Sequence, residues 1–96
     1  MSNFVFLYSG GTMPANEADK QKMMEAWGAW YGKMGDVVVD PGNPFGESVG
    51  VGGSAAAISG YTIVKADSLD GAKALTDGAP HVDNGGTISI HETVQM

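Results

Sequence analysis

The chain contains no cysteine, and its lysines and arginines together number only five. The first absence excludes disulfides, thiolate metal sites and cysteine nucleophiles, and it fits a reducing, cytoplasmic setting. The second, set against eleven acidic residues, leaves a net charge of −6. A nucleic-acid duplex or an anionic membrane surface would repel such a protein, so neither is expected as a partner. Long apolar runs are lacking too. The opening stretch, Met1-Ser2-Asn3-Phe4-Val5-Phe6-Leu7-Tyr8, has neither a basic start nor an extended apolar region, so it reads as a strand and not as a signal peptide or a membrane span. The two histidines, His81 and His91, fall in no H-x-H, H-x-x-x-H or H-E-x-x-H spacing, and no metal or other cofactor is expected. Gly50-Val51-Gly52-Gly53-Ser54 lacks both the lysine of a phosphate loop and the G-x-G-x-x-G spacing of a dinucleotide site.

What is present suits one domain, since 96 residues match the usual domain size. Residues 3–9 alternate with Phe4, Phe6 and Tyr8 on one face and Val5 and Leu7 on the other, so both faces are apolar and the strand belongs inside a sheet. Gly10-Gly11-Thr12 ends it. Asn16, with Asp19 three residues on, reads as the N-cap of a helix whose apolar stripe is Met23, Trp27, Trp30 and Met34 and whose C-terminal cap is Gly35. Val37-Val38-Val39 is a short edge strand stopped by Asp40-Pro41-Gly42. Residues 42–57 form a glycine-rich loop, long for a small domain, in which Val49 and Val51 could extend a hairpin. A strand over 58–66 follows, then a second helix capped by Ser68 and running to about residue 77, then a last strand over 87–94 with Ile88, Ile90 and Val94 inward and Ser89 and His91 on its polar side.

The order is β-α-β-β-α-β, the split β-α-β pattern of an α+β, ferredoxin-like fold: a four-stranded antiparallel sheet with the first and third strands central and both helices on one face. The other face would be bare and apolar. A second copy of the chain packing sheet to sheet is the economical cover, so a homodimer is expected.

Candidate chemistry sits at few places. His81, following Pro80 and close in sequence to Asp77 and Asp83, suits a general base oriented by a carboxylate, or else an exposed loop histidine. His91, with Ser89 and Thr93, would line the sheet face as a cleft or interface residue. Trp27, Trp30, Tyr31 and Phe45 suit stacking on a ring, although helical spacing favours core packing for Trp27 and leaves Trp30 open between the two. Asp36 and Asp40 are read as solvated turn residues. A small-molecule pocket is therefore expected from the exposed sheet face, the Asn43-Pro44-Phe45 loop and the His81 region. If there is catalysis, His81 or His91 would carry the proton, with Asp77 as a carboxylate and Tyr8, Tyr61 and Ser89 as orienting hydroxyls. The alternative is a non-catalytic interaction module whose sheet face is only a dimer interface, filled and dry where a pocket would leave a concave space.

The stretch Gly60-Tyr61-Thr62-Ile63-Val64-Lys65-Ala66-Asp67-Ser68-Leu69-Asp70-Gly71-Ala72 resembles the strand-into-helix passage of the YCII-related family. Ala79-Pro80-His81, Gly85-Gly86 and Ile88-Ser89-Ile90 resemble its close, and Phe4-Val5-Phe6-Leu7-Tyr8 its start. The resemblance spans most of the chain. It implies a ferredoxin-like dimeric α/β barrel and, in some members, a histidine on the first helix paired with an aspartate after the second, acting on small aromatic substrates. Here the first helix has no histidine, Met23, Met24 and Trp27 occupy that region, and the aspartate would correspond to Asp77. Gly42-Asn43-Pro44-Phe45 loosely resembles the Asp-Gly-Pro-Phe loop of a related branch, at a longer spacing from Gly60.

Overall fold

A computed structural model describes residues 1–11 and 16–94. Thr12, expected in the turn after the first strand, lies outside the described residues. The elements are β1 (Ser2–Gly10), α1 (Glu17–Met34), a 3₁₀ turn (Gly35–Val37), β2 (Val38–Asp40), β3 (Gly60–Ala66), α2 (Leu69–Ala74), α3 (Pro80–Asp83) and β4 (Gly86–Glu92). The four strands form an antiparallel sheet in the order β2-β3-β1-β4, so β1 and β3 are central and β2 is an edge, as the apolar patterns require.

Local chemistry accounts for the helix starts. Asn16 Oδ1 accepts the Asp19 backbone N–H at 2.8 Å, and Ser68 Oγ accepts that of Gly71 at 3.0 Å. The second helical stretch differs from the single helix expected. α2 stops at Ala74, a turn carries the chain to Ala79, and Pro80 opens α3, a position where its missing N–H is no loss. β4 ends at Glu92 opposite Phe4, so Val94 lies beyond the ladder and is exposed instead of facing inward. Val49 and Val51, at 85% and 96% exposed, join no hairpin. β2 pairs with β3 through only Val38 and Asp40 with an irregular register, and one further bridge joins Pro44 to Gly60, which offers those valines no ladder to extend.

Register decides the faces. Phe4, Phe6 and Tyr8 lie opposite Val64, Thr62 and Gly60, and with Ala66, Trp30, Met34, Ala72 and Ala79 they make the core on the helix side. Val5, Leu7 and Ile63 occupy the other side and stay half-exposed. No helix among the described residues is long and apolar enough to cross a membrane.

Candidate functional site

Thr62 sits at the inner end of β3 with none of its surface exposed, so its hydroxyl needs partners within the protein. It has them. Tyr8 Oη donates to Thr62 Oγ1 at 2.7 Å, and Thr62 Oγ1 donates to the Pro41 carbonyl at 3.0 Å. Tyr31 Oη lies 3.2 Å from Thr62 Oγ1 and donates to the same Pro41 carbonyl at 3.3 Å. This network joins β1, α1 and the connection from β2 to β3. Burial pushes the Tyr8 phenol well above its ordinary 10.0, which keeps it protonated and a donor, never a base.

Above this network opens a cavity of about 550 Å³, within the usual range for small-molecule sites. The end of β1 supplies Tyr8, Gly10 and Gly11, and α1 supplies Met23, Met24, Trp27 and Tyr31. The β2–β3 connection adds Pro41, Gly42, Asn43 and Pro44, while His81 and Asn84 come from the α3 region. No aspartate, glutamate, lysine or arginine among the described residues lines it. The rings pack on one another: Tyr8 meets Trp27 edge-on with centroids 5.3 Å apart, and Trp27 lies 5.9 Å from Tyr31.

His81 is held from both sides. Its Nε2 lies 2.8 Å from the Ser9 carbonyl oxygen, and its ring stands 5.3 Å from Tyr8 and 6.3 Å from Trp27. The imidazole lies so close to Gly86 that a methyl group there would come within 2.2 Å of Nε2. The Ser9 carbonyl takes the orienting role that the sequence suggested for Asp77 or Asp83. Asp77 is instead at the surface, where its carboxylate is 3.9 Å from Lys33 Nζ, and it does not line the cavity.

The structure therefore brings Tyr8, Tyr61, His81, Asn43 and Pro44 to one space and separates the other candidates from it. The cavity opens on the helix side, not on the exposed sheet face where it was expected. Ser89 and His91 stand on that opposite face, opposite Leu7 and Val5 in the register and hydrogen-bonded to each other. Phe45 stacks on Tyr61 at 5.6 Å, outside the lining. Trp30 is 3% exposed and its indole N–H donates to the Leu75 carbonyl at 2.9 Å, which makes it core. The tryptophan on the wall is Trp27. Asp40 is half-buried and organises the turn, accepting from Gly42 N at 2.8 Å and from Tyr61 Oη at 3.3 Å. Periodicity had marked Trp27 and Trp30 as one stripe without saying which end of α1 overhangs the sheet. Thr62 carried one signal in the sequence, a polar residue on the inward face of an otherwise apolar strand. Among the described residues no cluster of histidine, aspartate or glutamate is arranged to hold a metal ion.

No family model and no curated protein matches the chain. Among solved structures, it is similar to 5-chloro-2-hydroxyhydroquinone dehydrochlorinase from Burkholderia phenoliruptrix AC1100 in complex with 2,5-dihydroxybenzoquinone. The TM-score is 0.61 at 14% identity, covering 98% of this chain and 95% of that one. At that identity the likeness establishes the fold.

Proposed function

We propose that this protein binds a small planar ring compound in the cavity between α1 and the end of β1, and that any proton transfer there falls to His81. The observation that carries the reading is the wall itself: about 550 Å³ bounded by Tyr8, Trp27, Tyr31 and His81 with no charged side chain among the described residues. Flat apolar walls with a few fixed polar atoms bind rings by area and orient them by hydrogen bonds. A ferredoxin-like relative of similar shape whose name carries a chlorinated hydroquinone, and which was solved with a quinone, adds support of the same kind. So does the resemblance to the YCII-related family, whose first-helix site region is here the Met23, Met24 and Trp27 wall. His81, on a different element, is the histidine that meets it. The concave space also favours binding over the reading of a purely structural module.

The bare sheet face has a separate use. Val5, Leu7 and Ile63 are half-exposed side by side, and a second copy packed against them gives the homodimer.

A screen of neutral phenols, hydroquinones and benzoquinones by thermal shift and tryptophan quenching tests the binding reading. A ligand at about 100 times its Kd adds roughly 2.7 kcal/mol of apparent stability. A saturable shift that Trp27→Ala weakens about tenfold or more is expected. A flat screen overturns it.

A further inference from the structure

Among the described residues, the cavity wall holds one basic side chain, that of His81. A carbonyl oxygen only accepts, so His81 Nε2, 2.8 Å from Ser9 O, carries a proton, and in the neutral ring the lone pair is on Nδ1. Nδ1 lies along Gly11, itself on the wall: a methyl group at Gly11 would stand 3.5 Å from it. Among the described residues no group hydrogen-bonds Nδ1. Among the described residues, the titratable ones that line the space are Tyr8, Tyr31, Tyr61 and His81. The hydroxyls of Tyr8 and Tyr31 are committed to Thr62 and Pro41, and that of Tyr61 to Asp40.

This arrangement selects by charge. Among the described residues, an anion arriving from solvent meets no lysine or arginine on the wall and no attraction from a chain of net charge −6, and a cation meets no carboxylate. A neutral ring enters without that penalty. Once it is inside, a hydroxyl about as acidic as imidazolium can pass its proton to Nδ1 and leave an oxygen anion beside the new cation. Such a pair keeps the site neutral as a whole, with the Tyr8 and Trp27 rings 5.3 and 6.3 Å from the imidazole.

We propose that the cavity selects neutral planar rings bearing an acidic hydroxyl, the class of activated phenols, and that His81 Nδ1 takes the hydroxyl proton on binding. The ligand's O–H bond breaks, an Nδ1–H bond forms, its electron pair coming from the imidazole, and no proton leaves the site. The proposal rests on the binding reading above.

The test uses 4-nitrophenol, whose anion is yellow and whose neutral form is not, and 4-nitroanisole, its methyl ether, which has no proton to give. At a pH near neutrality, where imidazole is largely unprotonated and free 4-nitrophenol still partly neutral, adding the protein should raise the anion's band saturably, with 4-nitrophenol bound about ten- to a hundredfold tighter than 4-nitroanisole. His81→Gln, whose amide N–H can replace the bond to Ser9, should bind both compounds without the band, and His91→Gln on the opposite face should keep it. A native complex in which 4-nitrophenol displaces 4-nitroanisole but keeps its neutral spectrum overturns the proton transfer and leaves the binding reading standing. So does a band that survives in His81→Gln. Binding of neither compound overturns both readings. The native spectra decide even if His81→Gln does not fold.

Discussion

Tyr8 serves two environments at once, with its ring on the cavity wall and its hydroxyl donated to buried Thr62. Its folded pKa is raised above the ordinary 10.0 by burial, which sets the sign of a pH effect. Below pH 10.0 the phenol is protonated in the folded and unfolded chains alike, and its contribution is fully present. Above that value the unfolded chain releases the proton and the folded one holds it, so stability falls with rising pH until the folded pKa is passed. Urea midpoints should therefore drop more steeply above about pH 10 in the native protein than in Tyr8→Phe; parallel curves would refute it. At the same scale, Thr62→Val leaves the Tyr8 hydroxyl without its buried acceptor and should cost about 1–3 kcal/mol in chemical denaturation. Which single residues matter was partly legible. His81, Tyr8 and Tyr61 stand out by chemistry, and the structure puts all three at the cavity. The choice of Trp27 over Trp30 was not legible, because both lie on one helical stripe and contacts with distant residues, Trp30 on Phe6 and with the Leu75 carbonyl, divide wall from core.

Among the elements, the turn after β2 is the one most tightly specified. Gly42 has φ 77, and a methyl group there would meet the Tyr61 carbonyl oxygen at 1.7 Å. Strain and overlap act together, so Gly42→Ala should destabilise the fold by more than about 1–3 kcal/mol and move the wall formed by residues 41–44, weakening ring binding as well. Denaturation and ligand titration of the same variant check both parts; native values in either would count against this account of the turn. The caps at Asn16 and Ser68 were legible because a cap is a local hydrogen bond between neighbours in sequence. The division of the second helical stretch into α2 and α3 was not, since Trp30 fixes the turn between them from a distance, through the Leu75 carbonyl.

On the scale of the whole molecule the protein is a thin two-layer body, 45 × 37 × 19 Å, with a radius of gyration of 14.1 Å against about 12.5 Å for a compact domain of this length. The exposed loop and the uncovered sheet both contribute. A second copy on Val5, Leu7 and Ile63 would add the missing layer. Light scattering after size exclusion should give twice the chain mass for the native protein and a monomer for Leu7→Glu, whose carboxylate would be buried without a partner. A monomeric native protein would remove this proposal and leave the cavity untouched, because the cavity lies on the helix side. His91, beside Val5 in the register, would be enclosed by the same contact.

The sequence by itself determined the order of the four strands and the two main helical stretches, the caps at Asn16 and Ser68, the central place of β1 and β3 and the bareness of one sheet face. Each follows from side-chain period or from bonds between residues a few positions apart, which the chain specifies before it folds. Only the tertiary structure decided where the cavity lies and which histidine meets it. Those depend on contacts between distant residues, Tyr8 with Thr62 at a separation of 54 and His81 with Ser9 at 72. The pairing of β1 with both β3 and β4 fixes such contacts, and a one-residue change of register would turn every side chain to the opposite face.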